Sequence, residues 1–186
     1  MAAARRVLLF HKPKGVVVTR SDERGRKTVY SILPEWALAE GWVPVGRLDQ
    51  DSTGLLLFVQ EGGLVERLTR PGLPRTYEVW VRGRVTEEHL EAIRRGVPTL
   101  IGLLTAARVE LLGGAGPRSR LRVTLDEGKN RHVRRLFGAL RDPKFGTPLK
   151  VVELKRTRFG GVALDVPSGA WRFLEEREAD ALLGEE

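Results

Sequence analysis

The chain has no cysteine and one methionine in 186 residues. Disulfides and thiolate metal sites are therefore excluded, and the composition suits a reducing compartment. Histidine is nearly as scarce. His11, His89 and His132 lie far apart and form no ligand motif, so no metal is expected. Long apolar runs are missing too. Residues 7–10 are too short for the core of a signal peptide, and no stretch approaches the roughly 20 residues of a membrane span. A cytoplasmic chain without membrane contact is expected. Acid is short relative to base: 24 Asp and Glu face 32 Lys and Arg, a formal charge of +8. Such a surplus points to a polyanionic partner. Of the basic residues 25 are Arg and 7 are Lys. Arginine forks onto phosphates and stacks on bases, which suits RNA.

The length allows one domain spanning residues 1–186, with two lobes around a cleft. Its most informative stretch is residues 45–59, V-G-R-L-D-Q-D-S-T-G-L-L-L-F-V. Leu55 onward is an unbroken apolar run and predicts a buried strand. Before it stand Asp49, Asp51, Ser52, Thr53 and Gly54, polar and turn-forming. Asp49 lies two residues from Arg47, between two apolar segments. Physics alone leaves two readings: a carboxylate held for chemistry, or a surface turn with an ion pair.

Upstream, residues 7–10 predict a strand and 16–19 a second, joined by the turn H-K-P-K-G. Lys12 and Lys14 in that turn either grip a phosphate or solvate a hairpin. The charged loop at 20–27 either orders on RNA or is a solvated surface. Trp36 and Trp42 read as core. Residues 62–69 predict a helix with Leu64, Val65 and Leu68 inward. Residues 75–81 alternate as a strand, with Tyr77, Val79 and Val81 on one face. Residues 86–96 form a helix capped by Thr86. Arg118, Arg120 and Arg122 share one strand face, either an RNA track or a charged solvent face. Residues 127–140, E-G-K-N-R-H-V-R-R-L-F-G-A-L, predict a helix capped by Asn130, with an apolar stripe of Val133, Leu136, Phe137 and Leu140. Lys129, Arg131, Arg134 and Arg135 crowd its start, where cations are unfavourable and a bound anion is called for. The segment is no nucleotide-binding loop, because Val123 stands where the first glycine is due and Asn130 replaces Ser or Thr. Residues 142–148 are a loop, 150–157 a strand, and 175–183 a helix.

Taken in order, K-P-K-G at 12–15, G-R-L-D-Q-D-S-T-G-L-L at 46–56, R-T-Y at 75–77, E-G-K-N-R-H-V-R-R at 127–135 and a closing R-F-G-G-V-A-L resemble the RNA pseudouridine synthases. The form is that of the branch that modifies ribosomal RNA, with enzyme types A (small subunit) and B, E and F (large subunit). It is most similar to the stand-alone E type, since the motifs begin near the start of the chain, and no separate S4 domain is expected. The chain departs from the branch at His132 and Leu136, ordinarily Gln and Met. The resemblance implies an α+β fold, with a mixed, largely antiparallel central sheet flanked by helices.

It also implies the site. Asp49 is the catalytic residue, Tyr77 lies against the target base, and Arg134 pairs with Asp49. Arg47 helps hold the RNA open, Lys12 and Lys14 stand at the rim, and Lys129 and Arg131 hold phosphates. Leu154 supports the flipped base, with a core leucine as the other reading. The implied reaction isomerises a uridine of ribosomal RNA with no redox change or hydrolysis, hence no cofactor, and a monomer is expected. Two other classes remain open: a non-catalytic RNA-binding assembly factor, and a nuclease or N-glycosidase using Asp49 and Asp51 as paired carboxylates.

Overall fold

The computed structural model describes residues 6–185. Along the chain the elements are β1 (Leu8–Lys12), α1 (Glu35–Ala39), β2 (Val43–Pro44), β3 (Thr53–Val59), α2 (Gly62–Thr69), β4 (Arg75–Arg82), α3 (Glu87–Arg95), β5 (Val97–Thr99), β6 (Gly102–Leu104), β7 (Arg108–Ala115), β8 (Arg118–Leu125), α4 (His132–Gly138), β9 (Lys150–Phe159), β10 (Val162–Ala163), β11 (Trp171–Phe173) and α5 (Glu176–Leu183). The class is α+β with largely antiparallel strands, as the sequence implies. The chain divides into two compact units. One holds the residues up to Leu73 and those from Arg156 onward; the other is Pro74–Lys155.

In the first unit the strand order is β11-β1-β3-β9. All of β1 is buried, and so is β3 from Gly54 on. A strand covered on both faces must be apolar on both, which is why L-L-F and L-L-L-F-V carry no alternation. One face packs Leu9, Leu55, Leu57 and Val59 against Leu68 of α2 and Leu182 and Leu183 of α5. Phe10 and Phe58 meet edge-on at 6.3 Å, and Tyr30 joins Phe58 at 5.9 Å. Trp36 packs on Trp171 at 5.1 Å and stacks on Phe173 at 5.6 Å. Trp42 lies against Trp36 and Phe173; it is buried, as read from the sequence, whereas Trp36 is only half-buried within the same aromatic cluster. One expectation fails: residues 16–19 form no strand, only a bridge between Val17 and Thr28. The turn before them bonds to the loop at 49–52, and β1 pairs with β3 and β11 instead.

In the second unit the order is β9-β4-β8-β7. The predicted alternation of β4 holds, with Tyr77, Val79 and Val81 buried. Helix α3 starts at the expected cap, where Thr86 and the His89 side chain satisfy each other's backbone amides. Helix α4 is shorter than predicted. Its cap is Arg131 rather than Asn130, in the left-handed region at φ 51°. Arg131 is the one non-glycine residue with positive φ among the described residues. Lys129 and Arg131 therefore precede the helix instead of crowding its first turn. The three β8 arginines separate: Arg120 meets Glu78 at 2.6 Å and Arg122 meets Glu110 at 3.3 Å, while Arg118 is exposed at the strand's start. For Arg120 and Arg122 the solvent-face reading holds. The hairpin β5–β6 has no counterpart among the sequence expectations.

Gly54 fixes how closely β3 and β9 approach. Its φ is +109°, and a Cβ there would lie 2.7 Å from the Arg156 amide nitrogen and nearer still to its carbonyl oxygen. Two rigid backbones cannot yield as a side chain would. Gly54→Ala is expected to cost roughly 3 kcal/mol or more, the sum of backbone strain and overpacking, read by urea unfolding followed through tryptophan fluorescence. An unchanged midpoint would show that the approach is loose.

Candidate active site

The turn at 12–15 and the loop at 49–52 are joined. Lys12 ends β1 opposite Gly54 of β3. Its side chain is fully buried, and Nζ donates to the carbonyls of Pro13 (3.0 Å), Gln50 (3.3 Å) and Ser52 (2.6 Å). The Gly15 amide donates to the Gln50 carbonyl at 2.8 Å, and the Ser52 amide to the Asp49 carbonyl at 3.0 Å. The loop backbone that begins at Asp49 is thus held from beneath by one ammonium. Burial lowers the Lys12 pKa to about 8, against the opposing pull of Asp51 and Asp49. The expectation that Lys12 grips an RNA phosphate is corrected: its three N–H groups face loop carbonyls and no part of it reaches solvent. Lys14, two residues on, is exposed and remains available to an anion. Arg47 is exposed, Asp49 half-buried and Asp51 exposed.

Arg156 was not foreseen. It is buried, its Nε donates to the Leu55 carbonyl at 2.8 Å, and its guanidinium lies 5.3 Å from the centre of the Phe159 ring. With Gly54 beside its backbone, it ties β9 to the start of β3. Its place in K-R-T-R reads as a charged strand face. Only the tight glycine of the S-T-G-L stretch hints that something passes close by.

In the second unit Tyr77 is 8% exposed on β4, and Leu154 is 8% exposed on the neighbouring β9. Arg134 of α4 donates to the Val151 carbonyl of β9 at 3.4 Å. Arg135 turns away and clasps Asn130, with Nε on its carbonyl at 3.0 Å and Nη2 on Oδ1 at 3.1 Å. Lys129 is exposed and forms a 3.3 Å ion pair with Glu127. His132 is buried, with Nε2–H donating to the Thr105 carbonyl at 2.7 Å, and burial pushes its pKa down. Its ring thereby ties the start of α4 to the chain just after β6. Among the described residues no group of three or more His, Cys, Asp or Glu is placed to hold a metal. No helix among them is long and apolar enough to cross a membrane.

The sequence profile of the RNA pseudouridylate synthases matches residues 6–139. A ribosomal large subunit pseudouridine synthase B of Vibrio cholerae is 40% identical over 181 residues, 95% of this chain and 54% of that protein. Its namesake in Pseudomonas aeruginosa is also 40% identical, over 97% of this chain and 46% of that protein. The chain thus spans about half the length of these curated relatives. They support the branch as a whole rather than its E member. A crystal structure of a pseudouridylate synthase superposes with a TM-score of 0.78 at 29% identity, covering 95% of this chain and 73% of that one. An H/ACA ribonucleoprotein bound to a substrate RNA shares the fold at 18% identity, with a TM-score of 0.62 over 86% of this chain and 49% of its own.

Removing the Lys12 ammonium would leave buried carbonyls unpaired. Lys12→Met is expected to lose at least about 2 kcal/mol, since each orphaned buried acceptor costs roughly 1–3 kcal/mol. The pH dependence has a definite sign. The folded pKa of about 8 lies below the ordinary lysine value of 10.5, so the unfolded chain binds this proton more tightly. Lys12 therefore makes stability rise with pH across that window, an effect complete above the unfolded value and lost as pH falls through the folded one. The difference between wild type and Lys12→Met in urea unfolding at pH 7 and pH 10 isolates it, and a pH-independent difference would contradict the assignment.

Proposed function

The chain belongs to the RNA pseudouridylate synthase family, and on that premise we propose that it isomerises one uridine of ribosomal RNA, in the large subunit, to pseudouridine. The observation that carries this reading is the joining of its two leading motifs, with the K-P-K-G turn holding the loop that presents Asp49. The target nucleotide has to leave its stack to be reached. Its N1–C1′ bond breaks, the base turns, and C5 bonds to C1′. The proton lost from C5 is balanced by the one gained at N1, so no redox partner or leaving group is required.

Asp49 is assigned to the sugar, as nucleophile or base. Tyr77 stacks on the base and takes part in removing the C5 proton. Arg134 is assigned with Asp49 to the chemical step, and Leu154 supports the base. Arg47 helps hold the RNA open, while Lys14, Lys129 and Arg131 hold phosphates. The protein is proposed to act as a monomer in the cytoplasm. A silent assembly factor would bind the same RNA and change nothing; a nuclease would cut it, and an N-glycosidase would free uracil.

The test is release of tritium from C5-labelled uridine in ribosomal RNA. Asp49→Asn should lower it by at least about a thousandfold, as losing a residue of the chemical step does, with RNA affinity held within a few fold. Near-normal turnover would remove the central assignment.

The helix arginines give a paired test. Arg134→Met should cost roughly 100-fold in kcat with little change in RNA affinity, about 3 kcal/mol for a charge left without its counterpart. Arg135→Met, whose guanidinium is engaged by Asn130, should stay within a few fold. Equal losses in the two variants would assign the helix to binding.

A further inference from the structure

The second unit carries a groove of about 1400 Å³ that none of the assigned site residues lines. Its walls come from the β4–α3 turn around Arg84, the β7–β8 end around Gly113 and Gly114, and the loop at 142–149. Phe145 stands in it 71% exposed, a large ring in water. That exposure is built in. Asp142 is buried, and its Oδ1 accepts from the amides of Lys144 (2.8 Å) and Phe145 (2.9 Å). Its Oδ2 accepts from the Arg84 amide at 2.8 Å, so one carboxylate fixes the loop to the opposite wall. The Asp142 amide donates to the Thr147 carbonyl and the Gly146 amide to the Asp142 carbonyl, each at 2.8 Å. Gly83 fits the turn to the loop: its φ is +112°, and a Cβ would lie 2.5 Å from Leu149 Cδ2. A loop braced this way holds its aromatic ring out while the rest of the segment is tied down.

The charge around the ring is of one sign. Arg82, Arg84, Arg118, Lys144 and Lys150 line the groove, all exposed, and no ion pair among the described residues engages them. On the same strand as Arg118, Arg120 and Arg122 are neutralised by Glu78 and Glu110. The one carboxylate in the lining, Asp142, is ionised below the usual range by the backbone amides it accepts, and faces them. Lys144 Nζ lies 5.2 Å from the centre of the Phe145 ring. On the β7–β8 wall Gly113 and Gly114 present no side chain, and the exposed Leu111 and Pro117 add apolar surface.

We propose that this groove is a second RNA contact, which takes an unpaired nucleotide with its base stacked on Phe145 and the flanking phosphates on Arg84 and Arg118. Every base has a π-face, so the stack is tolerant of sequence, and surrounding cations supply the backbone affinity. An acidic peptide would satisfy the cations and leave the bare ring and the glycine wall unused. The proposal rests on the RNA-directed reading above.

The test measures binding of a short single-stranded RNA without uridine to the full chain, so that no target nucleotide is present. Phe145→Ala should weaken it roughly 5- to 100-fold, the loss of one base–aromatic stack. Phe145→Trp should preserve binding and Phe145→Leu should not, which separates stacking from apolar bulk. Replacing Arg84 and Arg118 together with Gln should lower the log–log salt slope by roughly 0.7 for each phosphate lost. With ribosomal RNA, Phe145→Ala should raise KM and leave kcat unchanged. Wild-type affinity in Phe145→Ala, or rescue by Phe145→Leu, would overturn the proposal. So would polyglutamate binding as tightly as RNA and being lost with the same variants. Pseudouridine formation that persists while Phe145 proves silent refutes the groove alone. Absent pseudouridine formation with a Phe145-dependent RNA affinity refutes the enzymatic reading and leaves the groove standing.

Discussion

One buried ammonium organises the loop at residues 49–52. Lys12 sits at the end of a strand that is otherwise wholly buried, and its three contacts are all backbone carbonyls. Burying a charge is costly unless its partners are close and well directed. Here they are, and the return is geometric: carbonyls of residues 13, 50 and 52 are drawn to one point. The chain beneath Asp49 and Arg47 is thereby held in place through its backbone.

The same logic continues into the strand that follows. Gly54 lets β9 pass at backbone distance, and Arg156 of β9 bonds the Leu55 carbonyl. The motif's small residue is thus a spacing requirement, set by the backbone of β9. Lys12 and Arg156 together place a buried cation on each side of the Asp49–Leu55 segment. Neither can be exchanged for an apolar residue without orphaning a carbonyl, so the loop's shape and the strand's stability depend on the same polar contacts.

Much of this was legible in the chain. The apolar runs fixed β1 and β3, the alternation fixed β4, and the caps fixed α3. The motif order names Asp49, Tyr77 and Arg134, the residues on which the proposed function rests. What failed has physical reasons. The two lysines of K-P-K-G look alike in sequence, yet Lys12 belongs to a strand buried on both faces and Lys14 to an exposed turn. That difference arises only when β3 closes over β1. Asn130 is a good cap by composition, but a left-handed Arg131 starts α4, and no local preference favours that conformation for arginine. Arg156 reads as surface because its burial depends on a strand about a hundred residues away in sequence, with Leu55 at a separation of 101.

The surplus of base resolves into two populations. Arg172 grips Asp165 and Glu178, Arg6 grips Asp180 and Glu185, and Arg120 grips Glu78, so many of the acids are already committed to holding the fold. Arg47, Lys14, Arg84 and Arg118 are exposed with no ion pair among the described residues. A formal charge of +8 spread evenly would act as a diffuse attraction; divided in this way it is concentrated where carboxylates are missing. Lys129 lies between the two groups, since its pair with Glu127 is exposed and worth at most about 1 kcal/mol. A phosphate can replace that carboxylate at little cost, whereas nothing can replace the carbonyls around Lys12 without opening the loop. Exposure, more than residue type, decides which cations are free to meet an anionic partner.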